Sequence, residues 1–156
     1  MNPTKEQWAA IKKDLSRPYG SAWLCCDGYL VSTQVRISKM KLYIEVYVDG
    51  FIKGENQWTG KESKVSEMND ISRRFWCWKK HLPKAKDIKL YEAMYVKREC
   101  KKRGIYEAMI YTTPYFASPS SFIAHIKKHN KAIEVLDYNS YRTALAEKSK
   151  EAIDAT

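Results

Sequence analysis

Two pairs of residues have the spacing to offer neighbouring ligands to a divalent metal. His125 and His129 stand four apart in a stretch patterned as a helix; Cys77 and His81 share that spacing and would align only if their segment were helical. No Glu follows His125 as it does in a zincin helix, and no third ligand is evident, so the reading is a surface histidine pair, with no metal and no cofactor. Cys25 and Cys26 are adjacent on a strand-like segment and point to opposite faces, which suits small buried hydrophobes better than nucleophiles. No serine or cysteine sits in a nucleophile elbow, and the six glycines make no phosphate-cradling loop. Asp27 and Asp49 are explained by turns, which leaves Glu45 and Glu55 without an evident mate for metal-assisted hydrolysis. No catalytic residue is assigned, and the chain is expected to act by binding. An enzyme such as a nuclease, built from scattered residues, is the alternative class.

Charge is the stronger signal. The 156 residues carry 28 Lys and Arg against 18 Asp and Glu, a net +10, and such a field attracts acidic partners. Between Arg73 and Arg103 there are twelve basic and three acidic residues, so one fifth of the chain holds +9 of that charge. The candidate binding residues are Arg73, Arg74, Trp76, Trp78, Lys79, Lys80, Lys97, Arg98, Lys101, Lys102 and Arg103. They form a phosphate-tracking surface if Trp76 and Trp78 offer ring faces on which bases stack, and a solvated rim around core anchors if they do not. Six phosphate contacts would make log K fall with log salt at a slope of about −5. Tyr111, Pro114, Tyr115 and Phe116 make a second aromatic group, read as a plug for the end of a sheet or as an exposed anchor.

These residues need a scaffold, and the patterning gives one. Thr4 and Gln7 form a capping box ahead of Trp8, Ile11 and Leu15 at helical spacing, a helix that ends near Ser16. From Ser21 to Trp58 the period becomes two. Asp27-Gly28 and Asp49-Gly50 are hairpin signals and Ser38 to Lys41 a polar turn, which predicts a four-stranded antiparallel meander with Leu42, Ile44, Val46 and Val48 facing inward. Residues 59–70 read as a surface loop, and 71–82 are ambiguous. A helix is predicted from Pro83 to Gly104, with Ile88, Tyr91, Tyr95 and Cys100 as its buried stripe. A strand over Ile105–Thr112, a helix capped by Ser118 with Pro119 first and running to Asn130, and a short strand over Ala132–Leu136 follow. The segment from Ser140 onward is a weak helix that frays or docks on a partner.

The whole is an α+β fold: an N-terminal helix, the meander, then helix-strand-helix-strand packed on the sheet, in a single domain with 138–156 as a flexible helical tail. Apolar residues at 44% and aromatics at 13% are enough for a core. The irregularly spaced cysteines are no disulfide framework, and no apolar run is long enough for a bilayer span or a signal segment. A soluble, thiol-reduced cytoplasmic protein without a membrane partner is expected.

Thr4-Lys5-Glu6-Gln7-Trp8, Cys26-Asp27-Gly28-Tyr29, Tyr47 through Glu55, and Tyr111-Thr112-Thr113-Pro114-Tyr115 through His129-Asn130-Lys131 resemble a group of small, basic proteins encoded by tailed bacteriophages and prophages. The likeness spans most of residues 4–136 and departs beyond Asp137. It carries no catalytic residues. It implies a phage accessory protein in the cytoplasm of a bacterial host, binding a host protein or nucleoprotein complex, with CRISPR inhibition as one form of such counter-defence. Direct DNA or RNA binding through residues 73–103 is the alternative.

Overall fold

The computed structural model describes residues 2–154. Helix α1 (Lys5–Asp14) starts as its capping box dictates: Thr4 Oγ1 accepts the Gln7 backbone N–H at 3.2 Å, and Gln7 Oε1 accepts that of Thr4 at 2.9 Å. Its stripe of Trp8 and Ile11, with Leu15 at the C-cap, is buried. The chain then doubles back so tightly at Gly20 that a Cβ there would stand 1.8 Å from the Asp14 carbonyl oxygen.

Strands β1 (Ser21–Cys26), β2 (Tyr29–Ser38) and β3 (Lys41–Val48) form an antiparallel meander. Asp27 and Gly28 have φ of 48° and 92°, the two positive values of a type I′ turn. Asp49 and Gly50 repeat them at 50° and 86°. The second turn nevertheless launches no fourth meander strand. The chain after Gly50 makes a single bridge, Val48 to Phe51, and then coils through a 3-10 turn at Gly54–Asn56. Both outer edges of the meander are taken by distant segments instead. Strand β7 (Tyr115–Phe116) pairs with β3, and β8 (Ile133–Leu136) pairs with β1, giving the order β7-β3-β2-β1-β8. Ile44, Val46 and Val48 face the core as the alternation predicts, whereas Leu42 is exposed near the hairpin end.

A second sheet, which the polarity of residues 59–70 conceals, is built from β4 (Thr59–Lys61), β5 (Cys77–His81) and β6 (Met109–Thr113) in the order β4-β6-β5. Residues 59–70 are therefore not a loop throughout. Partners fifty residues away order them: Thr112 N–H donates to the Trp58 carbonyl at 3.0 Å, and Thr112 Oγ1 accepts the Trp58 N–H at 2.9 Å. The Trp58 indole lies over Gly60, where a Cβ would come within 2.6 Å of it. The ambiguous 71–82 stretch divides into α2 (Asp70–Phe75), capped by Asn69, and β5.

The helix predicted over 83–104 is two helices, α3 (Ala85–Met94) and α4 (Lys97–Lys102), because Tyr95 and Val96 are extended. The Cys100 thiol donates toward the carbonyls of Tyr91 and Tyr95 at 3.6 and 3.7 Å, which closes the bend. Of the predicted stripe only Cys100 is fully buried. Gly104 does follow the helix in the left-handed region, at φ 68°. Helix α5 (Pro119–His129) has the predicted Ser118 cap and buries Phe122, Ile123 and Ile126.

Helices α1, α2 and α5 close over Leu24, Val31, Val35 and Val46 of the larger sheet, and Phe75, Trp76, Phe116 and Phe122 fill the layer between. Helix α6 (Tyr138–Asp154) is no free tail. It starts at Trp23, whose ring lies 5.4 Å from that of Tyr138, and buries Tyr141. It ends across both Asp-Gly turns, where Lys148 Nζ donates to the Gly28 carbonyl at 2.9 Å and to Asp49 at 2.8 Å. Among the described residues no helix is long and apolar enough to cross a membrane.

Candidate binding arm

Residues 73–78 are the joint between the two sheets. Arg74 donates to Asp27 at 2.6 Å and to Asp70 at 2.9 Å, with Asn130 at 3.4 Å. Asp27 also accepts the backbone N–H groups of Lys131 and Ala132 at 2.9 and 2.8 Å, and these bonds hold its carboxyl below the usual carboxylate range. Arg73 pairs with Asp70, and its carbonyl accepts a hydrogen bond from His125 Nε2 at 3.1 Å. Trp76 is 3% exposed, a core anchor. Trp78 is half-buried: its Nε1 donates to the Ser72 carbonyl at 3.3 Å, and its ring meets His129 at 5.0 Å and the edge of His125 at 5.9 Å. Trp76 is thus closed to a nucleic-acid base, and Trp78 is largely occupied by the two histidines. Both arginines are structural partners of carboxylates.

The remaining candidates lie elsewhere. Lys80 pairs with Glu62 at 3.1 Å across the small sheet. Lys79 shares its sheet face with Tyr111, its register partner, and with Thr59 beyond. Arg103 pairs with Glu99 at 3.3 Å and covers the Tyr95 ring at 4.1 Å; Tyr95 in turn stacks beside Tyr91. Lys97, Arg98, Lys101 and Lys102 are exposed on α4 and make no ion pair among the described residues. The +9 segment is therefore divided between a structural joint and a helical arm.

That arm carries residues the charge count overlooked. Leu82 is 67% exposed, Leu90 59%, Met94 63% and Val96 74%, and no residue of α3 is buried. Lys86, Leu90 and Met94 follow one another at single-turn spacing, so one face of α3 carries a cation and two exposed apolar groups. Lys84, Lys86 and Lys89 likewise lack ion-pair partners among the described residues. The available signal was that apolar residues occur on both sides of the predicted stripe, more than a single buried face can use. Between the arm and the small sheet lies a cleft of about 500 Å³, lined by His81, Ile88, Tyr91, Arg103 and Met109 among others.

The pairs with metal-ligand spacing resolve differently. Cys77 and His81 are on a strand, where four residues span about 13 Å, too far to share an ion. His125 and His129 do meet, with ring centroids 4.3 Å apart, but against Trp78 and Phe116. Burial first, then the neighbouring His129, lowers the His125 pKa to about 4. Among the described residues no group of three His, Cys, Asp or Glu is placed to hold a metal ion. Burial pushes the Cys26 thiol up to about 12, which leaves no thiolate at neutral pH. In the other aromatic group Phe116 is buried, as a plug would be, while Tyr115 stays part-exposed against the Tyr43 ring.

A scan against protein-family models, a search of curated proteins and a search of solved structures each returned no match. The chain is an α+β protein of two antiparallel sheets with a basic, apolar-faced helical arm.

Proposed function

We propose that this protein works by binding, and that the α3–α4 arm docks on an acidic, partly apolar surface of another protein. The observation that carries this reading is the exposure of Leu82, Leu90, Met94 and Val96 among cations free of carboxylate partners. A polyanion satisfies lysines but gives nothing to leucine and methionine, whereas a protein surface can bury both kinds of group. Moving a Leu, Met or Val side chain from water to full burial contributes about 1.5–3 kcal/mol of transfer free energy, before the costs of association. In the context implied by the phage-protein resemblance, the partner is a host nucleoprotein or defence complex, such as a CRISPR effector, and occlusion of its acidic face is the inhibitory act.

Direct nucleic-acid binding is kept as a second reading for one reason: Tyr111 is part-exposed at the centre of the small sheet beside Lys79, an aromatic-cation pairing on which a base could stack. Nuclease-treated co-purification from bacterial lysate separates the two. The protein reading expects a stoichiometric complex that survives nuclease and is lost in a Leu90→Glu, Met94→Glu variant of unchanged circular dichroism. Loss of the complex on nuclease treatment, or undiminished capture by that variant, refutes it.

A further inference from the structure

A second surface, remote in sequence from the arm, has the chemistry of a helix-binding groove. Helix α1 lines it with Lys5, Trp8, Ala9 and Lys12, and α5 with Ser120, Ile123, Ala124 and Lys127. Each set is spaced i, i+3, i+4, i+7, the signature of a single helix face. Trp8 and Ile123 are buried and make the floor. Ala9 and Ala124 are exposed, and their short side chains leave a groove of about 410 Å³ open at its middle. Past Lys127, whose Nζ lies 5.0 Å over the Trp8 ring, the hollow continues toward Asn130 and Ile133.

The rim has one sign. Lys5, Lys12 and Lys127 make no ion pair among the described residues, and no carboxylate lines the groove on either helix. Three ammonium groups without carboxylate partners around an apolar trough, on a chain of net +10, give the rim a field that favours negative charge. From Lys5 to Lys12 is about 10 Å along the axis, two turns of an incoming helix. Small residues at the centre allow the close axial approach that helix packing requires, about 8–10 Å.

We propose that this groove seats an acidic amphipathic helix of a partner protein, whose apolar stripe lies on Trp8, Ile123 and the two alanines while its flanking carboxylates meet Lys5, Lys12 and Lys127. A single-stranded polyanion would leave the alanine-lined trough unfilled. A second copy of this chain brings +10 against +10, and a lone acyl chain would remain wet in so open a trough. The site is independent of the arm and stands or falls separately from it.

The test uses the full chain and a labelled synthetic helical peptide of about fifteen residues, with Leu at i, i+3, i+4, i+7 and Glu elsewhere. A shuffled peptide of equal charge without the stripe and a Lys-for-Glu counterpart serve as comparisons in fluorescence anisotropy. The Glu-rich amphipathic peptide is expected to saturate, with both comparison peptides at least tenfold weaker. Ala124→Trp, which fills the groove from an exposed position, and the Lys5→Glu, Lys12→Glu double variant should each weaken binding at least tenfold, and Lys64→Glu, an exposed cation outside both the groove and the arm, should leave it unchanged. Absence of saturation, equal binding of the shuffled peptide, or indifference to both groove variants overturns the proposal. So does a groove-dependent response to phosphatidylglycerol vesicles or polyuridylate without one to the peptide, or a dimer in sedimentation that Ala124→Trp dissolves.

Discussion

The histidine pair at the joint between the sheets should make the fold acid-sensitive well above the range where carboxylates titrate. His125 is enclosed by Phe116 of β7, Trp78 of β5 and the Arg73 carbonyl at the end of α2, with His129 and Lys128 on its own helix and Arg73 nearby. Its folded pKa of about 4 lies below the value of 6.5 it takes when unfolded. Between those two values the unfolded chain binds a proton that the folded chain refuses, so stability is fully present above pH 6.5 and is lost as pH falls toward 4. A pKa that differs by one between the folded and unfolded chain corresponds to about 1.4 kcal/mol, and with allowance for the solvent His125 still touches, the loss between about pH 7.5 and 4.5 comes to about 2 kcal/mol. The pKa of His129 is lowered as well and adds to the loss. Urea unfolding of the wild type and of His125→Phe at both pH values measures the difference directly. The Phe variant keeps an aromatic ring against Trp78 and Phe116 but cannot protonate, so it should lose about 2 kcal/mol less than the wild type over this interval. Parallel losses in the two proteins would refute the reasoning, because the acid sensitivity would then belong to other groups.

Arg74→Met leaves Asp27 and Asp70 without their shared cation and should cost about 2–3 kcal/mol, read as a lower urea midpoint. Reversing Lys97, Arg98, Lys101 and Lys102 to Glu lies outside every ion pair described. Stability should fall by no more than about 2 kcal/mol for the four reversals together, leaving the protein folded, while capture of the arm's protein partner is abolished, measured by thermal melting beside co-purification. In the folded protein iodoacetamide should modify the half-buried Cys25 and Cys77 well before Cys26, which is inaccessible within the larger sheet, with peptide mapping as the readout.

What could be read from the sequence is what is local. The Thr4–Gln7 box, the Ser118-Pro119 start of α5 and the Asp27-Gly28 turn are each specified by residues within four positions of one another, and each is present where predicted. The α+β class follows from those elements. Two of the departures are non-local. Asp49-Gly50 forms its turn, but the edge of β3 that a fourth strand would occupy is filled by Tyr115 and Phe116, which pair there with Glu45 and Ile44 from far along the chain. Gly60 and Lys61 are poor strand formers, and Thr59–Lys61 becomes a strand because β6 is there to pair with. The binding site was half legible for a related reason. Summed charge located the arm, but it could not separate Arg73 and Arg74, whose charges are spent on Asp27 and Asp70, from Lys97 to Lys102, whose charges face water. Nor could it say that Trp76 faces inward, because a tryptophan beside arginines has the same text in a core and on a surface.

Cys100 is the one fully buried side chain from Leu82 through Arg103, and the extended pair Tyr95-Val96 divides the two short helices on either side of it. A segment so lightly anchored opens at little free energy, while the sheets beneath it stay closed. Its amides should exchange with deuterium long before those of α5, and a trypsin-like protease should nick the free chain first around Lys97 and Arg98. Occupancy by a partner would then register as protection of those same few peptide bonds, which makes the arm its own reporter of engagement.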